Sequence, residues 1–172
     1  MIICDQNMVI NFVDARQPGA NHDSFIWKNS VVDKYLRNEF NRGKVNSWII
    51  GDSGYPLLPY LMTPYRTINS NEEENFNNRF CKARNIIERC NGVLKGRFRS
   101  IIGDRGLLYS TKKATQIVNA SCALHNACIF YKNDWPYPQE VLDPEVDIIE
   151  EEDADNTAAA EIRRRLAQSL SQ

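Results

Sequence analysis

The 172-residue chain is long enough for one domain with a hydrophobic core, and its 42% apolar and 25% charged residues are typical of globular proteins. No apolar run approaches the roughly 20 residues of a membrane-spanning helix, so a membrane partner is not expected. The first residues also lack the basic and apolar regions of a signal peptide, which argues against a secreted precursor.

The net charge of −1 hides a division along the chain. Residues 1–139 carry 18 Lys and Arg against 12 Asp and Glu, whereas residues 140–172 carry 3 against 10. A basic body favours an anionic partner, and an acidic run is typically solvated. We therefore predict a folded body over residues 1–135 and an acidic, largely disordered tail over residues 136–172, with a short helix near its end.

The five cysteines form no Cys-x-x-Cys pair of the kind found in zinc sites, and their number is odd. Reduced thiols of an intracellular protein are expected.

The first fifty residues predict a hairpin, a helix and a strand. Residues 1–4 and 8–13 are rich in β-formers and flank the turn-forming residues 5–7. Asp23 and Ser24 offer an N-cap to the helix, and residues 45–50 are apolar enough for a central strand. The positions expected to face the core are Phe25, Ile26, Val31, Val32, Tyr35 and Leu36.

Two longer helices follow, over residues 71–98 and from Ser110 to about residue 131. The inward positions expected for the first are Phe76, Phe80, Ala83, Ile87, Cys90 and Leu94. Those expected for the second are Ala114, Ile117, Val118, Ser121, Leu124 and Cys128. The order of elements predicts an α/β fold, a mixed sheet flanked by helices, compatible with a ribonuclease H-like core whose first strand is missing.

Two carboxylates stand out for their surroundings. Asp52 follows the predicted strand 45–50, where α/β folds place ligands, and Glu88 is the one acid on its predicted helix face. Carboxylates from a strand end and a helix can hold divalent metal ions for phosphodiester cleavage. The residues that could contact a phosphate backbone nearby are Arg84, Arg89, Asn91, Lys95, Arg97 and Arg99. The pattern alone favours the alternative, an Arg84–Glu88 ion pair and an ordinary turn at residues 51–54.

Four segments in chain order resemble motifs of the PIF/Harbinger transposases and of the nucleases derived from them. Residues 51–56 (GDSGYP) with 61–65 (LMTPY) resemble the middle motif, and residues 83–99 resemble the last. Residues 18–24 (PGANHDS) and 124–126 (LHN) resemble flanking segments. The resemblance covers about residues 2–130. It implies a ribonuclease H-like fold and a DDE metal triad, with Asp52 and Glu88 as catalytic, metal-binding members and Mg²⁺ or Mn²⁺ as the cofactor.

The resemblance also implies DNA as the substrate, a Myb-like accessory protein, and a nuclear location with the cytoplasm as an alternative. It places the family's first catalytic aspartate and its strand before residue 1, so a C-terminal fragment without them is expected. Asp5, Asp14 and Asp23 are the acids that could substitute. Their simpler roles are in a turn, at a strand end and at a helix start. His22 is expected to be exposed, and His125 to pack in the core.

Three functions stay open at this stage. The first is a DDE endonuclease or transposase that hydrolyses phosphodiesters or transfers DNA strands. The second is an inactive remnant that binds DNA or protein, since loss of one member of a catalytic unit usually removes most activity. The third is an unstable product of a decayed element.

Overall fold

The computed structural model describes residues 1–17, 21–102, 109–133 and 157–171. The predicted disorder of residues 136–156 lies outside these ranges. In chain order, the elements are β1 (Ile2–Cys4), β2 (Ile10–Val13), α1 (Asp23–Lys28), α2 (Val31–Asn41), β3 (Ile49–Ile50), β4 (Leu61–Met62), α3 (Asn71–Arg97), a 3₁₀ turn (Arg99–Ile101), α4 (Thr111–Phe130) and α5 (Thr157–Leu170).

The described residues form two compact units. Unit 1 contains residues 1–17, 85–102 and 109–133, and unit 2 contains residues 21–84 and 157–171. Helix α3 contributes its first half to unit 2 and its second half to unit 1. None of the helices in the described part of the chain is long and apolar enough to cross a membrane.

Unit 1 is built on the predicted hairpin. Strands β1 and β2 pair antiparallel, with Ile2 opposite Val13 and an irregularity after Ile3. Met8, in the connection, has a φ of 62°, a left-handed conformation that closes the tight turn. The core of unit 1 consists of the buried side chains Ile10, Cys90, Leu94 and Cys122.

Helix α4 begins where predicted, because the Ser110 hydroxyl accepts a hydrogen bond from the Lys113 amide. Its inward face is partly different from the expected one. Ser121, Cys122 and His125 are buried, whereas Leu124 is 55% exposed. The buried face runs through Cys122 and His125, whose Nε2 lies 2.9 Å from the Met8 carbonyl, and Leu124 is therefore turned away from the core.

In unit 2, the predicted helix over residues 23–36 is broken into α1 and α2 at Ser30. The Ser30 hydroxyl is buried and accepts a hydrogen bond from the Asp33 amide, which starts a new helix. The break changes the buried face. Ile26 is buried as predicted and Trp27 is buried as well, whereas Phe25, Val31 and Tyr35 are exposed, contrary to the prediction. Trp27 is 1% exposed.

The expected single mixed sheet is not found among the described residues, which form two separate two-stranded sheets. The strand predicted over residues 45–50 is reduced to Ile49–Ile50, and it pairs in parallel with β4. Val45 and Ile50 are exposed by 48% and 40%, so this strand is not buried on both faces as a central strand would be.

Helix α5 packs into the core of unit 2. The buried core side chains are Leu57, Met62, Phe76, Phe80, Ala159 and Ala167, with Ile162, Leu166 and Leu170 packed against them. The helix lies where the sequence predicted a short one, but it does not belong to a solvated tail. The buried Phe76, Phe80, Cys90 and Leu94 agree with the stripe predicted for α3, whereas Ala83 is exposed.

Candidate active site

Asp52 lies in a tight turn directly after β3. We call residues 51–56 the Asp52 turn. The Gly51 amide donates to the Met62 carbonyl at 3.0 Å, which anchors the start of the turn to β4. The Gly54 amide donates to Asp52 Oδ1 at 2.9 Å, and the Tyr55 amide donates to the Asp52 carbonyl at 3.2 Å. An aspartate favours such a turn because its side chain can accept from the backbone two residues ahead.

Two carboxylates converge on Gly54. A Cβ added at Gly54 would lie 3.1 Å from Asp52 Oδ1 and 3.5 Å from Asp23 Oδ2. A side chain at this position would therefore press on the Asp52 carboxylate, whereas its distance to Asp23 would be an ordinary van der Waals contact. Glycine is favoured here by this close approach and not by an unusual φ.

Arg84, on α3, provides the positive charge beside Asp52. Its Nη2 lies 3.8 Å from Asp52 Oδ2, and its side chain is 17% exposed compared with 39% for Asp52. At this distance the pair is a loose ion pair, so the Asp52 carboxylate remains accessible to solvent. The charge of Arg84 partly offsets the two negative charges of the carboxylates.

Asp23 was expected to cap or open the helix, and its observed position differs. The N-cap of α1 is His22, which makes no side-chain cap hydrogen bond, and Asp23 is the first helical residue. The Asp23 carboxylate and the Tyr55 hydroxyl lie close enough for each to affect the pKa of the other. Burial, followed by the negative charge of Asp52, raises the pKa of Asp23. Burial and the two carboxylates also raise the pKa of Tyr55.

The other two acids predicted as possible substitutes for the family's first catalytic aspartate are engaged in other contacts. Asp5 Oδ1 accepts from the amides of Asn7 and Val9, so Asp5 is the turn residue that the sequence predicted. Asp14 is buried and accepts two hydrogen bonds from the guanidinium of Arg16, at 2.9 and 2.7 Å. A carboxylate held in this bidentate manner is already paired with a cation, so a metal ion would have to compete with Arg16 for it.

Glu88 is exposed on α3 and belongs to unit 1, whereas Asp52 belongs to unit 2. Helix α3, which carries Glu88, is the long helix that the sequence predicted.

The six predicted phosphate-contacting residues fall into three sets. Arg89, Lys95 and Arg99 are exposed and could reach a polyanion. Arg84 is the neighbour of Asp52, and Arg97 donates a hydrogen bond to the Asn133 carbonyl. Asn91, the sixth, is half-buried.

The segment 124–126 has a structural role in unit 1. His125 is fully buried, and its Nε2 lies 2.9 Å from the Met8 carbonyl. Burial lowers the pKa of His125. The Asn126 side chain accepts from the Ile10 amide and donates to the Ile10 carbonyl, both at 2.8 Å. His125 thus packs in the core as expected, and His22 is exposed as expected.

The donor set near Asp52 suits a hard divalent cation. Mg²⁺ prefers carboxylate oxygens and typically takes one or two of them, with waters and substrate phosphates completing its shell. Asp52 and Asp23 provide oxygens of this type. Within the residues that the structure describes, no group of three or more Asp, Glu, His or Cys side chains is arranged to hold a metal ion. The described residues near Asp52 therefore offer two carboxylates as ligands for a divalent cation.

Comparison with known proteins agrees with the sequence motifs. The family described as DDE superfamily endonuclease matches residues 1–126. The human protein HARBI1, whose name describes it as a candidate nuclease, is 30% identical over 141 residues, which is 80% of this chain and 39% of that protein. Protein ALP1-like of Arabidopsis thaliana is 32% identical over 138 residues, or 74% of this chain and 34% of that protein.

The chain thus spans well under half the length of these relatives. No solved structure matches it significantly. The family match covers more than half of the chain, including both β-sheets, the Asp52 turn and α3. The chain belongs to the DDE superfamily endonuclease family, with the Harbinger-derived nucleases among its relatives.

Proposed function

We propose that this chain carries catalytic residues of a divalent-metal-dependent DNA endonuclease of the DDE type, with a ribonuclease H-like fold. It would hydrolyse a phosphodiester or transfer a DNA strand. The observation that carries the proposal is the Asp52 turn. A solvent-accessible carboxylate follows a parallel strand, is fixed by its own turn, and lies beside a second carboxylate and an arginine.

Each residue of the site has a distinct role in this proposal. The Gly54 amide holds Asp52 Oδ1, and Asp52 Oδ2 faces Arg84 Nη2 at 3.8 Å. In this proposal Asp52 and Glu88 each contribute a metal-binding carboxylate. Support for Asp52 comes from its geometry, and support for Glu88 comes from the family resemblance. A bound Mg²⁺ or Mn²⁺ would supply an activated attacking oxygen and stabilise the leaving oxygen. Arg84, whose Nη2 lies 3.8 Å from Asp52 Oδ2, is proposed to contact a substrate phosphate beside that carboxylate.

Asp23 is our candidate for a further carboxylate of the site. Among Asp5, Asp14 and Asp23, it is the one whose carboxylate converges with Asp52 on Gly54. With Asp23 and Asp52 in place, a Mg²⁺ ion would still need waters or phosphate oxygens for most of its shell.

The test is nicking of supercoiled plasmid DNA by the purified chain, with Mg²⁺ or Mn²⁺ and with a chelator. Asp52→Asn and Glu88→Gln are expected to lower the rate by about 100-fold or more, as losses of metal-binding carboxylates do. The matched control is Glu161→Gln, which removes one exposed carboxylate on α5. If the wild-type chain nicks DNA no faster than Asp52→Asn, the proposal fails.

A second candidate function is non-catalytic DNA binding. It is favoured by the exposed cations Arg89, Lys95 and Arg99 and by the lack of a three-ligand metal group among the described residues. It predicts DNA binding that weakens steeply with salt and survives Glu88→Gln. Fluorescence anisotropy with labelled duplex DNA measures this directly, and no binding at low salt would exclude it. A Myb-like accessory protein and a nuclear location remain predictions from the family resemblance.

A further inference from the structure

One of three consecutive arginines on α5 is buried. Arg163 is 8% exposed, whereas Arg164 and Arg165 are exposed and form hydrogen bonds with Glu161. Burial of a guanidinium costs free energy unless its donors are satisfied, so a buried arginine calls for a specific set of partners. Helix α5 lies outside residues 1–126, which the family matches, so Arg163 is a feature of this chain beyond the shared core.

Three contacts of Arg163 lie in the segment of residues 63–66 that follows β4. The Arg163 guanidinium lies 4.2 Å from the centre of the Tyr65 ring, in a cation–π contact. Its Nη1 donates to the Pro64 carbonyl at 3.1 Å and to the Thr63 carbonyl at 3.4 Å. A single side chain on α5 therefore holds three consecutive residues of the 63–66 segment.

Helix α3 holds the same segment from another side. The Asn77 side chain accepts from the Tyr65 amide and donates to the Tyr65 carbonyl, both at 2.8 Å. Since Asn77 satisfies the backbone of Tyr65 in both directions, this segment is fixed at its centre. Arg163 adds contacts to the two residues before Tyr65 and to the ring.

The 63–66 segment is linked in turn to the Asp52 turn. Arg66 Nη2 donates to the Ser53 carbonyl at 3.0 Å, and Ser53 is the residue directly after Asp52. A continuous series of contacts thus runs from α5 through residues 63–66 to the Asp52 turn. All its members belong to unit 2.

We propose that Arg163 is a positioning residue for the Asp52 turn, acting through residues 63–66 and Arg66. The effect of Arg163 on the geometry of the Asp52 turn does not depend on any reaction. The importance of that effect for DNA cleavage rests on the proposed function of Asp52. On this basis α5 braces the candidate active site from a part of the chain beyond the family match.

The experiment is hydrogen exchange of the full chain, followed at the amides of Gly54 and Tyr55. Arg163→Met keeps the length and apolar stem of the side chain and removes its donors and charge. We expect exchange at both amides to become about 2- to 10-fold faster, which is the effect of losing one or two net hydrogen bonds. The matched control is Arg164→Met on the next residue, which should leave both amides unchanged.

Arg66→Met tests the second link separately, because it leaves the α5 contacts in place. It should accelerate the same two amides, and combining it with Arg163→Met should add little, since both changes break one series of contacts. If Arg163→Met does not fold, Arg163→Lys keeps a charge near Tyr65 with a different donor geometry and should give a smaller acceleration. Unchanged exchange at Gly54 and Tyr55 in folded Arg163 and Arg66 variants would overturn the proposal.

The DNA nicking assay separates this proposal from the function proposed above. If the wild-type chain does not nick DNA but Arg163→Met accelerates exchange in the Asp52 turn, the positioning role holds and the nuclease function fails. If the wild-type chain nicks DNA and the exchange is unchanged, the nuclease function holds and Arg163 merely anchors α5.

Discussion

The carboxylate of Asp33 is a buried connection point in unit 2. Asp33 is 3% exposed, and its Oδ1 accepts from Trp27 Nε1 and from the Tyr60 hydroxyl, both at 2.9 Å. Its Oδ2 accepts from Arg37 at 3.0 Å. The carboxylate therefore connects α1, α2 and the residue that precedes β4, so its replacement should perturb all three.

We expect Asp33→Ala to lower the free energy of unfolding by about 3–5 kcal/mol. The change leaves the buried donors of Trp27 and Tyr60 without an acceptor, at about 1–3 kcal/mol each. Asp33→Asn keeps one acceptor oxygen and loses the ion pair with Arg37. Because the Arg37 side chain is 56% exposed, this pair is screened by solvent, and a loss of about 1 kcal/mol is expected.

Urea unfolding followed by tryptophan fluorescence measures both losses, with Glu39→Gln as the control. Glu39 makes an ion pair with the exposed Arg42 at 3.0 Å, and its loss should change stability by less than about 0.5 kcal/mol. Burial, followed by the hydrogen bond to Asp33, raises the pKa of Tyr60 to about 12, and Asp33→Ala should lower that pKa in an ultraviolet titration. If Asp33→Ala costs no more than Glu39→Gln, the reasoning about buried donors is refuted.

Three further changes test other parts of the structure. The guanidinium of Arg16 holds the pKa of Asp14 down at about 2, below its ordinary 3.8, so the stabilisation is present above pH 4 and is lost as pH falls towards 2. Asp14→Asn should therefore lower the free energy of unfolding at pH 7 by about 1–2 kcal/mol, a range that allows for solvent screening of the exposed Arg16. The difference in stability between the variant and the wild type should vanish near pH 2. A difference that persists at pH 2 would contradict this account. Asn126→Ala removes both hydrogen bonds to the Ile10 backbone and should lower the free energy of unfolding by about 1–3 kcal/mol, with faster hydrogen exchange of the Ile10 amide. Unchanged exchange would show that these two hydrogen bonds do not stabilise the strand. Gly54→Ala places a Cβ 3.1 Å from one converging carboxylate and should lower DNA nicking at least about tenfold. An unaltered nicking rate would mean that the carboxylates need no such close approach.

The sequence predicts best those elements that depend on local patterns. The hairpin, the long helix α3 and the Ser110 cap of α4 all follow from turn residues, periodic apolar positions and a capping side chain. The break between α1 and α2 was not predicted, although Ser30 followed three residues later by Asp33 resembles a capping pattern. The hydrogen bonds that Asp33 accepts from Trp27 and Tyr60 favour a new helix that starts after Ser30.

The candidate site was predicted in part. Asp52 could be found from its place after a strand and from the GDSGYP motif, and Arg84 from its place on the basic helix. The position of Asp23 beside Asp52 could not be found, because no spacing rule relates a helix start to a strand end far along the chain. The packing of α5 could not be predicted either, because the sequence alone does not distinguish Arg163 from its two exposed neighbours. Only its contacts with residues 63–65 show that it is buried.

The central claim is that Asp52 is a metal-binding carboxylate, and Mn²⁺ binding tests it most directly. Free Mn²⁺ is measured by electron paramagnetic resonance while Mn²⁺ is titrated into the wild-type chain and into two variants, Asp52→Asn and Glu161→Gln. Each variant lacks one negative charge of the wild type. The account predicts that Asp52→Asn weakens Mn²⁺ binding by about tenfold or more, and that Glu161→Gln binds as the wild type does. Equal Mn²⁺ binding by the wild-type chain and Asp52→Asn would contradict it.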